Sequence, residues 1–142
     1  MKIRNIEQAD AFAVQQLIEE LENTKFDCMV FQEIFNEYLE RKNAILWVLE
    51  HINGQVIGFL SCFGQRLLHH QDWVYEIQEF IIHKPYQNKG YGKLLVENLI
   101  MEMQKKRVFS LEVTTNKKRI QAHSFYKACG FLNSHEKFTM YF

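Results

Sequence analysis

Gln87-Asn88-Lys89-Gly90-Tyr91-Gly92-Lys93 stands between an apolar run, Phe80-Ile81-Ile82, and a stretch striped by Leu94, Leu95, Leu99, Ile100 and Met103. A strand thus runs into a glycine-rich turn, and the turn into a helix. The first N–H groups of a helix have no internal acceptor, and the helix dipole adds partial positive charge there. Glycine lets backbone approach an anion with no Cβ in the way. The spacing is neither the three-glycine dinucleotide fingerprint nor the GxxxxGK[ST] phosphate loop. Alone, such a turn serves equally well as a plain connection, so the elements around it decide.

Working outward, residues 1–6 (MKIRNI) alternate apolar and polar as a half-buried strand does. Asp10 is placed to cap a helix, which begins there or a few residues earlier near Glu7. Phe12, Val14, Leu17, Ile18 and Leu21 mark its apolar stripe. A second helix is predicted over Phe26–Glu40, on Met29, Val30, Ile34, Phe35 and Leu39. Ala44–Glu50, Gln55–Cys62 and Trp73–Ile82 read as an antiparallel meander, with Asn53-Gly54 as a hairpin signal. After the glycine-rich turn and its helix come a strand over Val108–Val113, a helix over Arg119–Cys129 and a last strand over Lys137–Phe142. The order β-α-α-β-β-β-α-β-α-β makes an α/β fold: a mostly antiparallel mixed sheet with helices on both faces.

Composition narrows the class. The 142 residues are 47% hydrophobic and 24% charged with one proline, which excludes a mainly disordered or fibrous chain. Their number suits one domain over 1–142. Lys plus Arg equals Asp plus Glu at 17 each, so the basic excess of a nucleic-acid module is absent. Cys28, Cys62 and Cys129 are widely spaced and form no CxxC pair, against a disulfide framework or zinc site and towards a reducing, cytoplasmic setting. Cys28 and Cys62 lie among apolar neighbours and read as inert core thiols. The start MKIRNIEQAD has no apolar signal-peptide region, and no run approaches the roughly 18 apolar residues of a membrane span.

A second motif lies some thirty residues beyond the first. Asn116 follows the strand Val108–Val113, and Phe125-Tyr126 precedes Gly130-Phe131 in the pattern FYxxxGF. Gln-x-x-Gly-x-Gly, then Asn, then a helix ending in FYxxxGF resembles the GNAT superfamily of acetyl-coenzyme A dependent N-acetyltransferases. The resemblance covers the whole chain in size, element order and both motifs. One departure is local: the proline usual three residues before the Gln is here two before it, at Pro85, with Lys84 in its place. LIEELENTKFD (17–27), HHQDWVYEIQEFII (69–82), TTNKKRIQAHSFYKACGF (114–131) and the tail SHEKFTMYF (134–142) further resemble the bacterial aminoalkylphosphonate N-acetyltransferases.

The resemblance implies acetyl-coenzyme A as cosubstrate and a small primary amine, an aminoalkylphosphonate, as acceptor. It assigns the backbone of Phe80, Ile81 and Ile82 to the pantetheine arm and acetyl carbonyl. The N–H groups of Gln87, Asn88, Lys89, Gly90, Tyr91, Gly92 and Lys93 go to the pyrophosphate, and Asn116 to the pantetheine chain. Tyr126 is the candidate acid for the leaving thiolate. Glu76 and Glu79 are the candidate bases; they lie three apart, so a regular strand turns them to opposite faces unless a bulge re-aims one. A phosphonate dianion needs cationic donors. His69, His70, Arg66 and Lys118 or Arg119 are the candidates, with Trp73 beside the histidine pair. The pair can also ligate a divalent metal, although no metal site is assigned. His123 faces the cofactor channel or solvent, and Lys117-Lys118-Arg119 is a cofactor-phosphate site or a solvated run.

Two other readings stay open. One keeps the enzyme but takes a polyamine, amino sugar or protein N-terminus, and expects a pocket lined by carboxylates. The other is a regulatory acetyl-coenzyme A binding domain without turnover, and expects Tyr126 and both glutamates to point away from the thioester. A strand near the C-terminus offers an edge for a homodimer. Neither a nucleic acid nor a membrane is expected as a partner.

Overall fold

One sheet carries five strands: β1 (Lys2–Asn5), β2 (Ala44–Glu50), β3 (Val56–Leu67), β4 (Asp72–Ile82) and β5 (Ser110–Val113). They lie in the order β1-β2-β3-β4-β5, antiparallel except for the parallel pair β4–β5. Helices α1 (Ala11–Glu22), α2 (Cys28–Glu40), α3 (Tyr91–Lys106) and α4 (Ile120–Ala128) connect them. The computed structural model describes every residue from Met1 to Phe142. The parallel pair requires a crossover, and α3 supplies it.

Two apolar layers sandwich the sheet. Leu95, Leu99 and Met103 of α3 pack with Leu60, Tyr75, Ile77 and Ile82 on one face. Val14 and Leu17 of α1 and Phe35 of α2 pack with Val48, Phe59 and Ile81 on the other. No helix is long and apolar enough to cross a membrane.

The helical run begins near Glu7, and Asp10 is the N-cap of α1, though its side chain makes no bond to that helix. Glu7 caps a short 3-10 turn, Gln8–Asp10, and the Asp10 carboxylate accepts the Glu7 N–H at 2.8 Å. The same carboxylate takes two hydrogen bonds from Arg4, at 2.8 and 2.9 Å, while Arg4 Nε reaches Glu50 at 2.7 Å. Burial works to raise the Asp10 pKa, but the Arg4 and Glu7 hydrogen bonds and the Arg4 charge outweigh it and hold it below the ordinary 3.8. A depressed carboxyl pKa stabilises the fold above the unfolded value, and this contribution disappears as pH falls through the folded one. Asp10→Asn therefore costs about 2 kcal/mol at neutral pH, the worth of hydrogen bonds to a charged group. Urea denaturation of both proteins will show the difference closing well below pH 4; a constant difference with pH refutes the assignment.

Several expectations change. Helix α2 begins at Cys28 rather than Phe26 because Asp27 caps it, accepting from Met29 N–H and Val30 N–H at 2.9 and 3.0 Å. Its buried side runs through Phe31, Phe35, Tyr38 and Leu39, so Met29 and Val30 face solvent and Ile34 is partly exposed at the margin. Cys28 is exposed at the first position of α2 and is not a core thiol. Cys62 is fully buried, and burial, then the Glu76 charge, push its thiol up to about 12. The hairpin at Asn53-Gly54 forms, but only Gly54 adopts positive φ (85°) and the turn closes between His51 and Gln55. Strand β5 begins at Ser110 rather than Val108. Lys137–Phe142 forms no strand, because nothing in the chain pairs with it and its side chains lie in solvent.

Candidate active site

Strand β5 pairs with β4 only from Val74 to Ile77. Beyond Ile77 the two strands part, and β4 continues five residues to Ile82. The His83 N–H bonds to the Ile57 carbonyl of β3 at 2.7 Å. Hydrogen-bonded pairs alternate in an antiparallel ladder. The N–H and C=O groups of Phe80 and Ile82 therefore point away from β3, into the gap. The Ile82 carbonyl there accepts from Gln87 Nε2 at 2.7 Å. Open backbone of this kind suits an extended polar chain lying beside β4.

The first turn of α3 opens on the same gap. Gly90 caps the helix with φ 85°, and the first helical bond is Leu94 N–H to the Gly90 carbonyl. The N–H groups from Asn88 to Lys93 have no acceptor within the chain. Gln87 is the exception to the expected cradle: its N–H is taken by the Lys84 carbonyl, and its side chain closes on Ile82 instead. Pro85 falls within a 3-10 turn, Lys84–Tyr86, that carries β4 into this loop. A Cβ on Gly92 stands 3.3 Å from Phe80 Cζ and 3.5 Å from the Phe125 ring, so this glycine permits α3, β4 and α4 to converge. Consecutive free N–H groups at a helix start, beside open strand backbone, fit a pyrophosphate joined to a long amide arm. Gly90→Ala forces a Cβ into the left-handed region, at a cost of about 1–2 kcal/mol. Its KM for acetyl-coenzyme A will rise several-fold with kcat nearly kept; an unchanged KM removes Gly90 from the cradle.

A bulge in β4 answers the question of the two glutamates. Ser61 pairs with Glu79 but Cys62 pairs with Ile77, so Gln78 is the extra residue. Cross-strand partners share a face. Glu79 thus lies with Ser61, and Glu76 with Phe63, both on the α1/α2 side. The bulge does what a regular strand forbids and turns both carboxylates to one face. Glu76 stands opposite Glu112, where β4 and β5 are still paired; Glu79 stands beyond that point, beside the gap.

Glu79 closes one wall of a small cleft of about 60 Å³ whose other walls are Val14, Ile18, Phe31, Ile34, Phe35, Tyr38 and Phe59. Tyr38 donates to Glu79 Oε1 at 2.8 Å, and the Ser61 hydroxyl bonds to Oε2. The Glu79 N–H in turn donates to Ser61 Oγ at 3.0 Å. Burial, then the neighbouring Glu79 charge, push the Tyr38 phenol well above its ordinary range, so it stays a donor. Ser61 and Tyr38 were not among the residues singled out above. The signal was present: Ser61 is the one hydroxyl within Val56–Cys62, and Tyr38 continues the stripe of Phe31 and Phe35.

Phe80 follows Glu79 and points to the other face, where its ring stacks on Phe125 at 5.5 Å and meets Tyr126 at 6.3 Å. Tyr126 is buried, with its ring against Phe131 at 5.5 Å. Its hydroxyl has no partner in the chain yet is not sealed from solvent. Burial, then Cys129, raise its pKa and the Arg119 charge lowers it, with the net result pushed up to about 12. Candidate base and candidate acid therefore stand on opposite sides of β4, with the gap between.

The loop from β5 to α4 is built on Asn116. Its side chain accepts the Lys118 N–H at 2.9 Å, and its carbonyl accepts the Arg119 N–H at 3.0 Å and lies 2.9 Å from His123 Nε2. His123 thus serves the loop. Lys117 and Lys118 are exposed; Arg119 reaches back to the Leu21 carbonyl and to Glu22 at 3.5 and 3.3 Å. Glu20 of α1 binds His83 Nδ1 and the Lys84 N–H, both at 2.7 Å, and so fixes the end of β4.

The remaining candidates lie elsewhere. His69 and His70 sit in the turn between β3 and β4, with His70 stacked on Phe109 at 4.2 Å. Arg66 pairs with Trp73 at the base of that hairpin. Extended strand at about 3.3 Å per residue puts this end roughly 25 Å from Phe80. The structure does not bring His69, His70, Trp73 or Arg66 to Glu79 and Tyr126, because most of the length of β4 lies between them. No group of three or more His, Cys, Asp or Glu is arranged to hold a metal.

The model of the Acetyltransferase (GNAT) family matches residues 7–131. The chain is a GNAT acetyltransferase. An aminoalkylphosphonate N-acetyltransferase of Salmonella typhimurium is 33% identical over 138 residues, 97% of this acetyltransferase and 89% of that protein. An uncharacterised N-acetyltransferase of Bacillus subtilis is 27% identical over 82% of this chain and 72% of its own. Among solved structures, a putative acetyltransferase from Agrobacterium tumefaciens superposes with a TM-score of 0.89 over 99% of both chains at 17% identity. Glucosamine-6-phosphate N-acetyltransferase from Arabidopsis thaliana does so at 0.83, over 99% of this chain and 97% of that one, at 20% identity. GNAT acetyltransferases use acetyl-coenzyme A as cosubstrate, and the cradle of this one, with its free N–H groups and open β4 backbone, fits it.

Proposed function

We propose that the enzyme acetylates the primary amine of a small aminoalkylphosphonate. The relative that is 33% identical over 97% of the chain carries this substrate class. Acetyl-coenzyme A supplies the acetyl group as a thioester, held by the N–H groups of Asn88–Lys93 and by the backbone of Phe80–Ile82. The residues of the chain then have three tasks. Glu79, fixed by Tyr38 and Ser61, holds the ammonium of the acceptor and takes its proton, which frees the nitrogen lone pair for attack on the acetyl carbon. The α1/α2 cleft sets the direction of approach and keeps water away. Tyr126, on the far side of β4, gives its phenolic proton to the sulfur as the carbon–sulfur bond breaks.

The charges around the cleft support this acceptor over a polyamine, whose several ammonium groups call for several carboxylates. Glu79 is the single acidic residue of the cleft wall. Arg41 lies 3.9 Å above the Phe63 ring, whose edge meets the Tyr38 ring, and it has no acidic partner. Arg41 takes the role of dianion donor first given to His69, His70 and Arg66, while Arg119, also named for it, is bonded to Glu22. A regulatory domain without turnover expects Tyr126 and both glutamates to point away from the thioester; turnover with any amine of the panel rejects it.

Release of free thiol from acetyl-coenzyme A against a panel of amines tests the reading. The panel holds 2-aminoethylphosphonate, aminomethylphosphonate, β-alanine, spermidine and glucosamine 6-phosphate. The phosphonates will exceed β-alanine in kcat/KM by at least about tenfold, the worth of one additional charge-assisted hydrogen bond. Equal rates with β-alanine, or a preference for spermidine, reject the phosphonate and leave the acetyltransferase.

A further inference from the structure

The stretch that carries β4 into the cofactor cradle is short and has no cap of its own. The His83 carbonyl accepts the Tyr86 N–H at 2.8 Å and the Lys84 carbonyl accepts the Gln87 N–H at 3.2 Å, which makes the 3-10 turn Lys84–Tyr86. His83 stands in the cap position with φ −51° and ψ 132°, and its side chain bonds to no N–H of the turn. The donor left over at the first residue of the turn is the Lys84 N–H. A carboxylate from another element takes it: Glu20 Oε1 accepts it at 2.7 Å, while Oε2 holds His83 Nδ1 at 2.7 Å. Glu20 rests on a firm support, since Val14 and Leu17 of the same helix are buried against the sheet. Just beyond the turn, Asn88 and Gly90 take positive φ, at 59° and 85°, and the free N–H groups begin. A small rotation of the turn therefore swings every N–H of the cradle.

Lys84 is also where the sequence departs from the family pattern, which has proline there. A proline in the first position of such a turn fixes φ near −65° and has no N–H to satisfy. Lysine does neither. Its backbone turns more freely, and its N–H needs an acceptor.

We propose that Glu20 is a positioning residue for acetyl-coenzyme A: capping the Lys84–Tyr86 turn from α1, it holds the turn as a proline ring at position 84 does elsewhere. Glu20 acts through the turn rather than on the cofactor. It raises the fraction of molecules whose cradle already has its binding shape, and apparent affinity scales with that fraction. By charge alone the opposite holds. A carboxylate beside a cradle for an anion repels the anion, and its removal tightens binding. The sign of the effect separates the two. The inference concerns the cosubstrate and is independent of the acceptor's identity.

The test is a double-variant cycle on the full chain, read by calorimetric titration with coenzyme A and no acceptor present. Glu20→Ala will raise the Kd about tenfold, the scale of one charge-assisted hydrogen bond. In the Lys84→Pro background the same change will move the Kd by less than about threefold, because the ring fixes the turn and the N–H is gone. His83, with ψ 132°, already has the backbone that precedes a proline. Amide exchange at Tyr86 and Gln87 will quicken about tenfold in Glu20→Ala but not in the double variant, with the β3 and β4 amides unchanged in both. A Kd that falls or stays the same in Glu20→Ala overturns the proposal. So does an equal rise in both backgrounds, which places the effect of Glu20 at His83 or in general stability. Glu20→Gln gives a second reading that does not depend on the alanine variant folding, since it keeps the side chain's size and an oxygen for the Lys84 N–H. Its Kd will stay within about threefold of the parent's, and a rise of about tenfold rejects the cap.

Discussion

Glu79→Gln is expected to lower kcat about a hundred- to ten-thousand-fold, the range of a lost general base, with the best amine of the panel. The glutamine keeps the size of the side chain and an oxygen that Tyr38 and Ser61 can still reach, so the fold is expected to survive. What it loses is the capacity to take a proton. Glu76→Gln is the control, because Glu76 shares the face but lies where β5 still covers the strand. A large loss in Glu76→Gln with little in Glu79→Gln would reverse the assignment.

Tyr126→Phe is the second large effect. Removing a general acid costs about a hundredfold in kcat at the low end of that mechanism's range. The Tyr126 hydroxyl has no partner in the chain, so its loss breaks no internal hydrogen bond and leaves stability near that of the parent. The KM for acetyl-coenzyme A should hardly move. Burial, with help from Cys129, disfavours the phenolate, and the phenol keeps its proton up to about 12. Tyr126 should therefore produce no alkaline fall in rate below that value. An alkaline limb near pH 9 that disappears in Tyr126→Phe would sink this account of its surroundings.

Much of this was legible in the chain, and the parts that were not share a cause. The element order followed from local patterns: apolar stripes in helices, alternation in strands and glycine at the start of α3. Those patterns depend on neighbours a few residues apart. A bulge was open as a possibility but its place was not legible, because Trp73–Tyr75 and Phe80–Ile82 are each apolar on both faces and do not fix the phase between them. Ser61 and Tyr38 were missed because their meaning lies in contacts 18 and 41 residues away, at Glu79. His69 and His70 show cationic chemistry in the sequence but not their place, which the length of β4 sets far from Phe80. In Lys137–Phe142 the alternation was legible, but a strand also needs an edge, and the chain that carries the tail does not fill its own.

The link from Arg119 to Glu22 joins residues 97 positions apart, and His83 to Glu20 joins residues 63 apart. The two walls of the site therefore arrive at different times on a growing chain. Synthesis at about 5–20 residues per second leaves roughly 2–9 seconds between the emergence of Ile82 and that of Tyr126. Through that interval the meander can pair and α1 can clamp the end of β4, but the far side of β4 has neither β5 nor α4 beside it. A nascent chain stalled there would present a ready-made sticky edge, and it is the form of this enzyme most in need of a chaperone.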